Sequence, residues 1–308
     1  MRLVLAAACA CLLALPARAE QGALVVVLDP GHGGKFPHDG AHGRGGLVEK
    51  DVALAVAQKT KELLEAAGAT VVLTRENDDD VSLAERARVA NDAGADLFLS
   101  IHCNAMESRE DRKVTRGVET YFLSPDPTDA EAKLLAELEN GGPESVPLPK
   151  AASAVEGILN DLALGQARND SAALARLVQN SVVRGTLATS RGVRQAPFLV
   201  LSGTRMPSVL VEIGFISHPQ EGRLLGKEKY QLKVATALAG AVRDFADKVL
   251  ARRLFAQART QQQEPPVEAA PPVEAAKAAL PAGAAAAPAV ETLPVQAAGV
   301  VASPGGTR

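Results

Sequence analysis

The sequence predicts a layered α/β domain, and three observations carry that prediction. Strand-like and helix-like segments alternate from residue 24 to residue 254. Two apolar runs, LVVVL at 24–28 and SVLVEI at 208–213, suit strands covered on both faces. Hydrophobic residues fill 47% of 308 positions against 22% charged, enough for one full core with residues left over for tails.

The elements follow in order. The first strand, 24–28, ends at Asp29-Pro30-Gly31 and opens into a glycine-rich loop that holds His32. Residues 51–67 carry helical spacing and stop at Gly68, and TVVLT at 70–74 reads as the next strand. A helix over 82–93 starts with Ser82 as N-cap and Glu85 at the capping-box position. DLFLSIH at 96–102 and residues 117–123 are the third and fourth strands. After a helix over 171–187, strands are expected at 198–201 and 208–213, and a long helix at 229–254 closes the domain. In that helix Leu238, Val242, Phe245 and Val249 form one stripe.

Residues 124–170 break the rhythm as an insert. They hold a helix-like stretch at 128–140, a Gly/Pro-rich break at 141–149, and an amphipathic stretch with Val155, Ile158, Leu159 and Leu162 on one face. An apolar stripe must pack somewhere, either on the side of the domain or over its functional site.

Both ends read differently from the middle. Met1-Arg2, an apolar run over 3–16 and the small-x-small pattern Ala17-Arg18-Ala19 make 1–19 an export signal peptide, which leaves 20–256 as the folded domain. Cys9 and Cys11 fall inside the signal, but the alanines before them and the apolar run beyond them argue against a lipid anchor. Cys103 is then the one cysteine of the mature chain, so no internal disulfide is expected. Residues 257–308 are rich in Gln and then Ala, Pro, Glu and Val, with PPVEAA twice in tandem at 265–276, and read as a disordered tail. A net charge of -3 spread along the chain offers no basic stripe for nucleic acid and no polybasic membrane anchor. No later run approaches the roughly 20 apolar residues of a spanning helix.

Four segments carry chemistry: LDPGHGG at 28–34, GLVEKD at 46–51, SIHCNA at 100–105 and PSVLVEIGF at 207–215. Zinc in a hydrolase takes three ligands from His, Glu, Asp or Cys and keeps a position for water. His32 sits where Gly31, Gly33 and Gly34 permit close backbone approach, Glu49 begins a helix where its charge is favoured, and His102 ends a strand. All three can meet at one edge of the sheet. Glu212 is an acid among apolar neighbours, costly to bury unless it faces a polar site, and near the strand's end it can serve as general base toward the attacking water. His38 and His42 lie between two of these segments and read as solvated. Cys103 alternates away from His102 and reads as a small buried residue.

From about residue 24 to residue 245 the chain resembles the zinc-dependent N-acetylmuramoyl-L-alanine amidases, especially the exported cell-division amidases of Gram-negative bacteria. The resemblance implies a central, mostly parallel sheet flanked by helices, with Zn2+ held by His32, Glu49 and His102 and with Glu212 as catalytic glutamate. It implies hydrolysis of the amide between muramic acid and L-alanine of peptidoglycan, in a monomeric periplasmic enzyme. LTR at 73–75, AN at 90–91, ADLFLSIH at 95–102 and GFISHP at 214–219 also match, with Asp29, Ser100 and Asn104 as candidates to orient ligands. The insert matches as well, which implies that 128–165 covers the site until a LytM-type activator draws it away. Glu131, Glu137, Glu139 and Glu156 are then candidates for a carboxylate near the metal. The tail would be a solvated extension or a spacer into the wall. Relatives with an N-terminal peptidoglycan-binding domain differ from this chain, where few residues separate the signal from the first strand.

Two other functions compete. Zinc carboxypeptidases acting on the peptide stem place ligands as His-x-x-Glu with a distant His, a spacing that His32 and Glu49 do not share. A catalytically inactive wall-binding regulator is disfavoured because all four site residues are present.

Overall fold

The computed structural model describes residues 23–141 and 154–263. Six strands and eight α-helices occur among them. The first half runs β1 (Val25–Pro30), α1 (Glu49–Ala66), β2 (Thr70–Leu73), α2 (Leu83–Asp92), β3 (Leu97–Asn104), α3 (Asp111–Val114) and β4 (Val118–Leu123). The second runs α4 (Ala130–Glu139), α5 (Ala154–Thr186), β5 (Ser190–Ala196), α6 (Leu199–Ser202), β6 (Ser208–Phe215), α7 (Glu221–Leu225) and α8 (Glu228–Gln263).

The strands form one sheet in the order β2-β1-β3-β6-β4-β5. Strands β2, β1, β3 and β6 are parallel, β4 runs antiparallel to β6, and β5 is parallel to β4. The mostly parallel sheet flanked by helices is therefore present. Parallel neighbours need crossovers, and α1, α2 and α5 supply the helical mass for them.

The pleat sorts residues onto two faces. Val26, Leu28, Leu99, Ile101, Val209 and Val211 point one way and pack with Val56 of α1, Val178 and Val182 of α5, and Leu238, Val242 and Phe245 of α8. Val27, Phe98, Tyr121 and Leu210 point the other way and pack with Ala132, Leu135 and Ala136 of α4 and with Phe198 and Leu201. Cys103 belongs to the first face and is buried, as its alternation with His102 requires.

Local signals act where they were read. The Ser82 hydroxyl accepts from the Glu85 N–H at 3.3 Å at the start of α2, and Asp129 accepts from the Ala132 N–H at 2.8 Å at the start of α4. Three expectations need correction. Residues 198–201 are not a strand: Leu199–Ser202 is the single helical turn α6, between Pro197 and Gly203, because a four-residue apolar run has no period with which to choose. Strand β5 was not expected, since Ser190–Ala196 is an edge strand with few apolar residues. The amphipathic stretch at 155–162 and the helix at 171–187 are parts of one 33-residue helix, α5, so the insert has no independent second element.

Helix α8 runs past residue 257, where the tail was set, to Gln263. The signal segment 1–19, residues 142–153, which hold all but the first residue of the break expected at 141–149, and residues 264–308 lie outside the described residues. No helix among the described residues is long and apolar enough to cross a membrane.

Candidate active site and metal centre

The C-terminal ends of β1, β3 and β6 meet at one edge of the sheet, where ligands gather in parallel α/β folds. Register places Asp29 beside Ser100 and His102 beside Glu212, while Glu119 of β4 lies opposite Glu212 on its other side. Residues so paired share a face. One row of polar groups therefore crosses β3, β6 and β4.

His32 follows β1 with φ of 58°, in the left-handed region that a non-glycine residue rarely adopts. The backbone around it is pinned from outside the loop. Arg86 of α2 donates to the Pro30 and His32 carbonyls, each at 2.8 Å, and to the Asp29 carboxylate at 2.8 Å. Arg75, after β2, donates to the Pro30 carbonyl at 3.0 Å, the Gly31 carbonyl at 2.9 Å and the Lys50 carbonyl at 2.8 Å. It ties the loop to the first turn of α1. Asp29 also accepts from Thr74 and Ser100, both at 2.6 Å. Burial alone would raise its pKa, but Arg86 and these hydroxyls outweigh burial and hold it below the usual carboxylate value. Asp29 and Ser100 thus act on His32 through Arg86 and the backbone and not through a histidine ring.

The imidazole of His102 packs on Gly31, where an added Cβ would lie 2.5 Å from the ring. Only glycine fits there. Glu49 opens α1 with its carboxylate fixed at both oxygens, Oε1 accepting from the Cys103 N–H and Oε2 from the Ala41 N–H, each at 2.8 Å. His32 Nε2 stands 3.3 Å from Glu49 Oε2, and His102 Nδ1 stands 3.1 Å from Glu49 Oε1. The three residues expected as ligands are brought together.

A fourth joins them from the insert. Glu139, the last residue of α4, places Oε2 3.1 Å from both His32 Nε2 and His102 Nδ1. The stripe Ala132, Leu135, Ala136 and Glu139 has helical spacing, so the face that buries α4 also delivers the carboxylate. Of the four insert glutamates left unranked, Glu139 reaches the cluster. Glu131 pairs elsewhere, with Arg191 and Arg194, and Glu137 lies 3.8 Å from Lys133; the side chain of Glu156 lies outside the described residues.

One ligand atom from each of His32, Glu49, His102 and Glu139 can be chosen so that all four lie within 4.8 Å of one another. His32 Nε2 and Glu139 Oε2 are buried and complete no hydrogen bond despite their closeness. Tetrahedral metal bonds of about 2.0–2.2 Å separate neighbouring donors by roughly 3.3 Å, close to the spacing found here. Burial would lower the histidine pKa values, but the carboxylates outweigh it and raise His32 to about 11 and His102 to about 10. The cluster demands positive charge, and a metal cation satisfies it without protons.

Glu212 is fully buried beside this cluster, and neither of its oxygens has a hydrogen-bond partner. Burial first, and then the charges of Glu139, Glu49 and Glu119, push its pKa well above the usual value, with His102 opposing. Dry burial among like charges disfavours its ionised form, and a cation in the cluster beside it would favour that form. His38 and His42 stand apart from the cluster, exposed and paired with Asp80 at 2.7 Å and Asp39 at 3.0 Å. Arg75 and Arg86 were missed as loop clamps; the LTR string held the first, and nothing in the α2 pattern marked the second.

A model of the N-acetylmuramoyl-L-alanine amidase family Amidase_3 matches residues 26–244. The chain is 37% identical over 230 residues to the amidase AmiA of Escherichia coli, covering 73% of this chain and 77% of that protein. It is 35% identical over 241 residues to the amidase AmiC of Neisseria meningitidis, covering 77% of this chain but 56% of that longer protein. Among solved structures, the amidase AmiC2 of Nostoc punctiforme superposes with a TM-score of 0.55 at 31% identity, over 73% of this chain and 97% of that one. Since the family match runs from the first strand into the last helix and takes in every residue of the cluster, this chain belongs to the Amidase_3 family of N-acetylmuramoyl-L-alanine amidases.

Proposed function

We propose that the protein is a zinc-dependent N-acetylmuramoyl-L-alanine amidase of the bacterial envelope, held in a closed state by α4. The observation that carries the reading is the convergence of His32, Glu49, His102 and Glu139 beside the unpartnered Glu212. His32 through Nε2, His102 through Nδ1 and Glu49 would hold the metal, and their nitrogen and oxygen donors suit zinc. When bound, zinc would polarise the muramoyl carbonyl and make water a better nucleophile at neutral pH.

The chain's own groups do the remaining work. Glu212, whose carboxylate form a cation in the neighbouring cluster would favour, takes the proton of the attacking water and returns it to the leaving amine of L-alanine. Arg86 and Arg75 keep the His32 loop in its strained form, so little reorganisation accompanies the reaction. The Glu49 carboxylate, fixed by two N–H groups, cannot swing away.

Glu139 occupies the position that the reacting group needs. Segment 128–165 is accordingly autoinhibitory, and α4 is its blocking part. Withdrawal of α4 by a LytM-type activator, export by residues 1–19, a monomeric state, a role in daughter-cell separation and a solvated tail complete the proposal.

Digestion of purified sacculi tests it, with the mature chain and a form lacking 128–165, each with and without chelator. Free stem peptides, more abundant from the deleted form and lost with chelator, support the reading. Shortened stems still joined to glycan would turn it toward a stem peptidase. No products from folded, zinc-loaded protein of either form would turn it toward an inactive regulator.

A further inference from the structure

Strand β5 carries two arginines that reach the same row of polar groups as Glu212. Arg191 Nε donates to Glu119 Oε1 and its Nη2 donates to Glu131 Oε1. Arg194 Nε lies 3.5 Å from Glu119 Oε2, while its Nη1 lies 3.0 Å from Glu131 Oε2 and 3.2 Å from Asp129 Oδ2. The Arg191 guanidinium also stacks over the Phe215 ring at 5.2 Å. Both arginine side chains are largely covered.

The charges here do not balance without α4. Glu119 is fully buried and takes a further hydrogen bond from the Tyr121 hydroxyl, so one guanidinium neutralises it. The second guanidinium faces two carboxylates, Asp129 and Glu131, both at the start of α4, so the group carries one net negative charge with α4 seated and one net positive charge without it. Helix α4 therefore presents acids at both ends, Glu139 to the metal cluster and Glu131 to the arginines. Once α4 leaves, a planar donor pair faces the open cleft with a positive charge to spare, a geometry suited to a carboxylate.

We propose that Arg191 and Arg194 form the subsite for a substrate carboxylate on the peptide side of the scissile amide, and that Glu131 fills it in the closed state. The proposal rests on the amidase reading above. Strand β5 is two strands from β6, roughly 10 Å from Glu212 at about 4.8 Å per strand. An extended peptide advances about 3.3–3.6 Å per residue, so 10 Å is roughly three residues; both guanidinium groups reach back to Glu119 on the intervening strand, directly opposite Glu212, which shortens the span to about two residues beyond the cleaved bond. In a peptidoglycan stem the residue after L-alanine is D-glutamate, whose α-carboxyl is free. Helix α4 then imitates the substrate at two points instead of plugging the site at one.

The test uses the full chain carrying Glu131→Gln and Glu139→Gln, in which both α4 acids are neutral. Two N-acetylmuramoyl tetrapeptides are compared, alike except that the D-glutamate α-carboxyl is free in one and an amide in the other. With zinc, the free acid should show a KM at least about tenfold lower, as loss of a charge-assisted pair implies. Adding Arg194→Gln should erase that difference by raising KM for the free acid to that of the amide form. Equal KM values before that change, or an Arg194→Gln effect equal on both substrates, would reduce the arginines to a latch for α4 and overturn the subsite. If neither compound is cleaved, the amidase reading fails, and titration of both into the zinc-free protein decides the subsite alone: tighter binding of the free acid, lost in Arg194→Gln, supports it, and equal binding overturns it.

Discussion

Two buried polar clusters lie side by side at the end of β1, and they are built on opposite terms. Around Asp29, each carboxylate oxygen has a donor, from Thr74, Ser100 or Arg86. Around His102 the reverse holds: His32 Nε2, Glu139 Oε2 and both Glu212 oxygens are buried without a hydrogen bond. Burying a polar group without a partner costs free energy, so a fold keeps such an arrangement only where something else comes to meet it. The first cluster is satisfied as a scaffold is, and the second is left open as the proposed site requires. What separates them is whether their lone pairs are answered from within the chain.

The sharpest way to break that contrast is Glu212→Gln. Hydrolysis by zinc-loaded protein should fall by about 10²- to 10⁴-fold, as for loss of a general base, while the melting temperature holds or rises because a buried, unanswered carboxylate is gone. Turnover and thermal unfolding on one preparation check it. The scaffold cluster should behave oppositely. Arg86→Met leaves Asp29 charged and unpaired and should cost about 3–5 kcal/mol in denaturant unfolding, with the double change Asp29→Asn, Arg86→Met less costly than the single.

A smaller effect is expected from Glu139→Gln. Loss of one charge-assisted contact to the histidines should raise activity on sacculi by roughly tenfold to a hundredfold, read against the unaltered chain without activator. The smallest effect concerns protons. Without metal, His32 and His102 have raised pKa values of about 11 and 10, so their ion pairs stabilise the fold fully below about pH 6.5 and lose that contribution as pH rises through 10 to 11. At pH 7 both rings of the metal-free site therefore carry protons that a bound metal ion would displace. Zinc affinity should rise with pH, and calorimetry in buffers of different ionisation enthalpy should show proton release on loading.

Much of this was readable in the sequence because it rests on short, local patterns. The segments that carry His32, His102 and Glu212 are marked by apolar runs that lead into the residue in question or surround it, and the α2 start by Ser82 and Glu85. Other features depend on partners distant in the chain. Arg86 sits on an ordinary amphipathic helix, and its bonds to Asp29 and His32 span 57 and 54 residues. Glu139 was one acid among four until the packed face of α4 was known. Strand β5 has little apolar character of its own and is recruited by pairing with β4. The α6 turn was misread because Leu and Val runs of four residues fit either state.

The buried stripe of α4 is made of two alanines and one leucine, and that thrift sets how hard the helix is to dislodge. Burying Leu135 is worth about 1.5–3 kcal/mol and each alanine methyl about 0.8 kcal/mol, so the apolar grip is of the order of 3–5 kcal/mol. Reversing a two-state balance from 1:99 to 99:1 needs roughly 5.5 kcal/mol of preferential binding. A modest contact patch on another protein can supply that, so under the closed state proposed above α4 would behave as a tunable equilibrium and not as a plug to be removed by cutting.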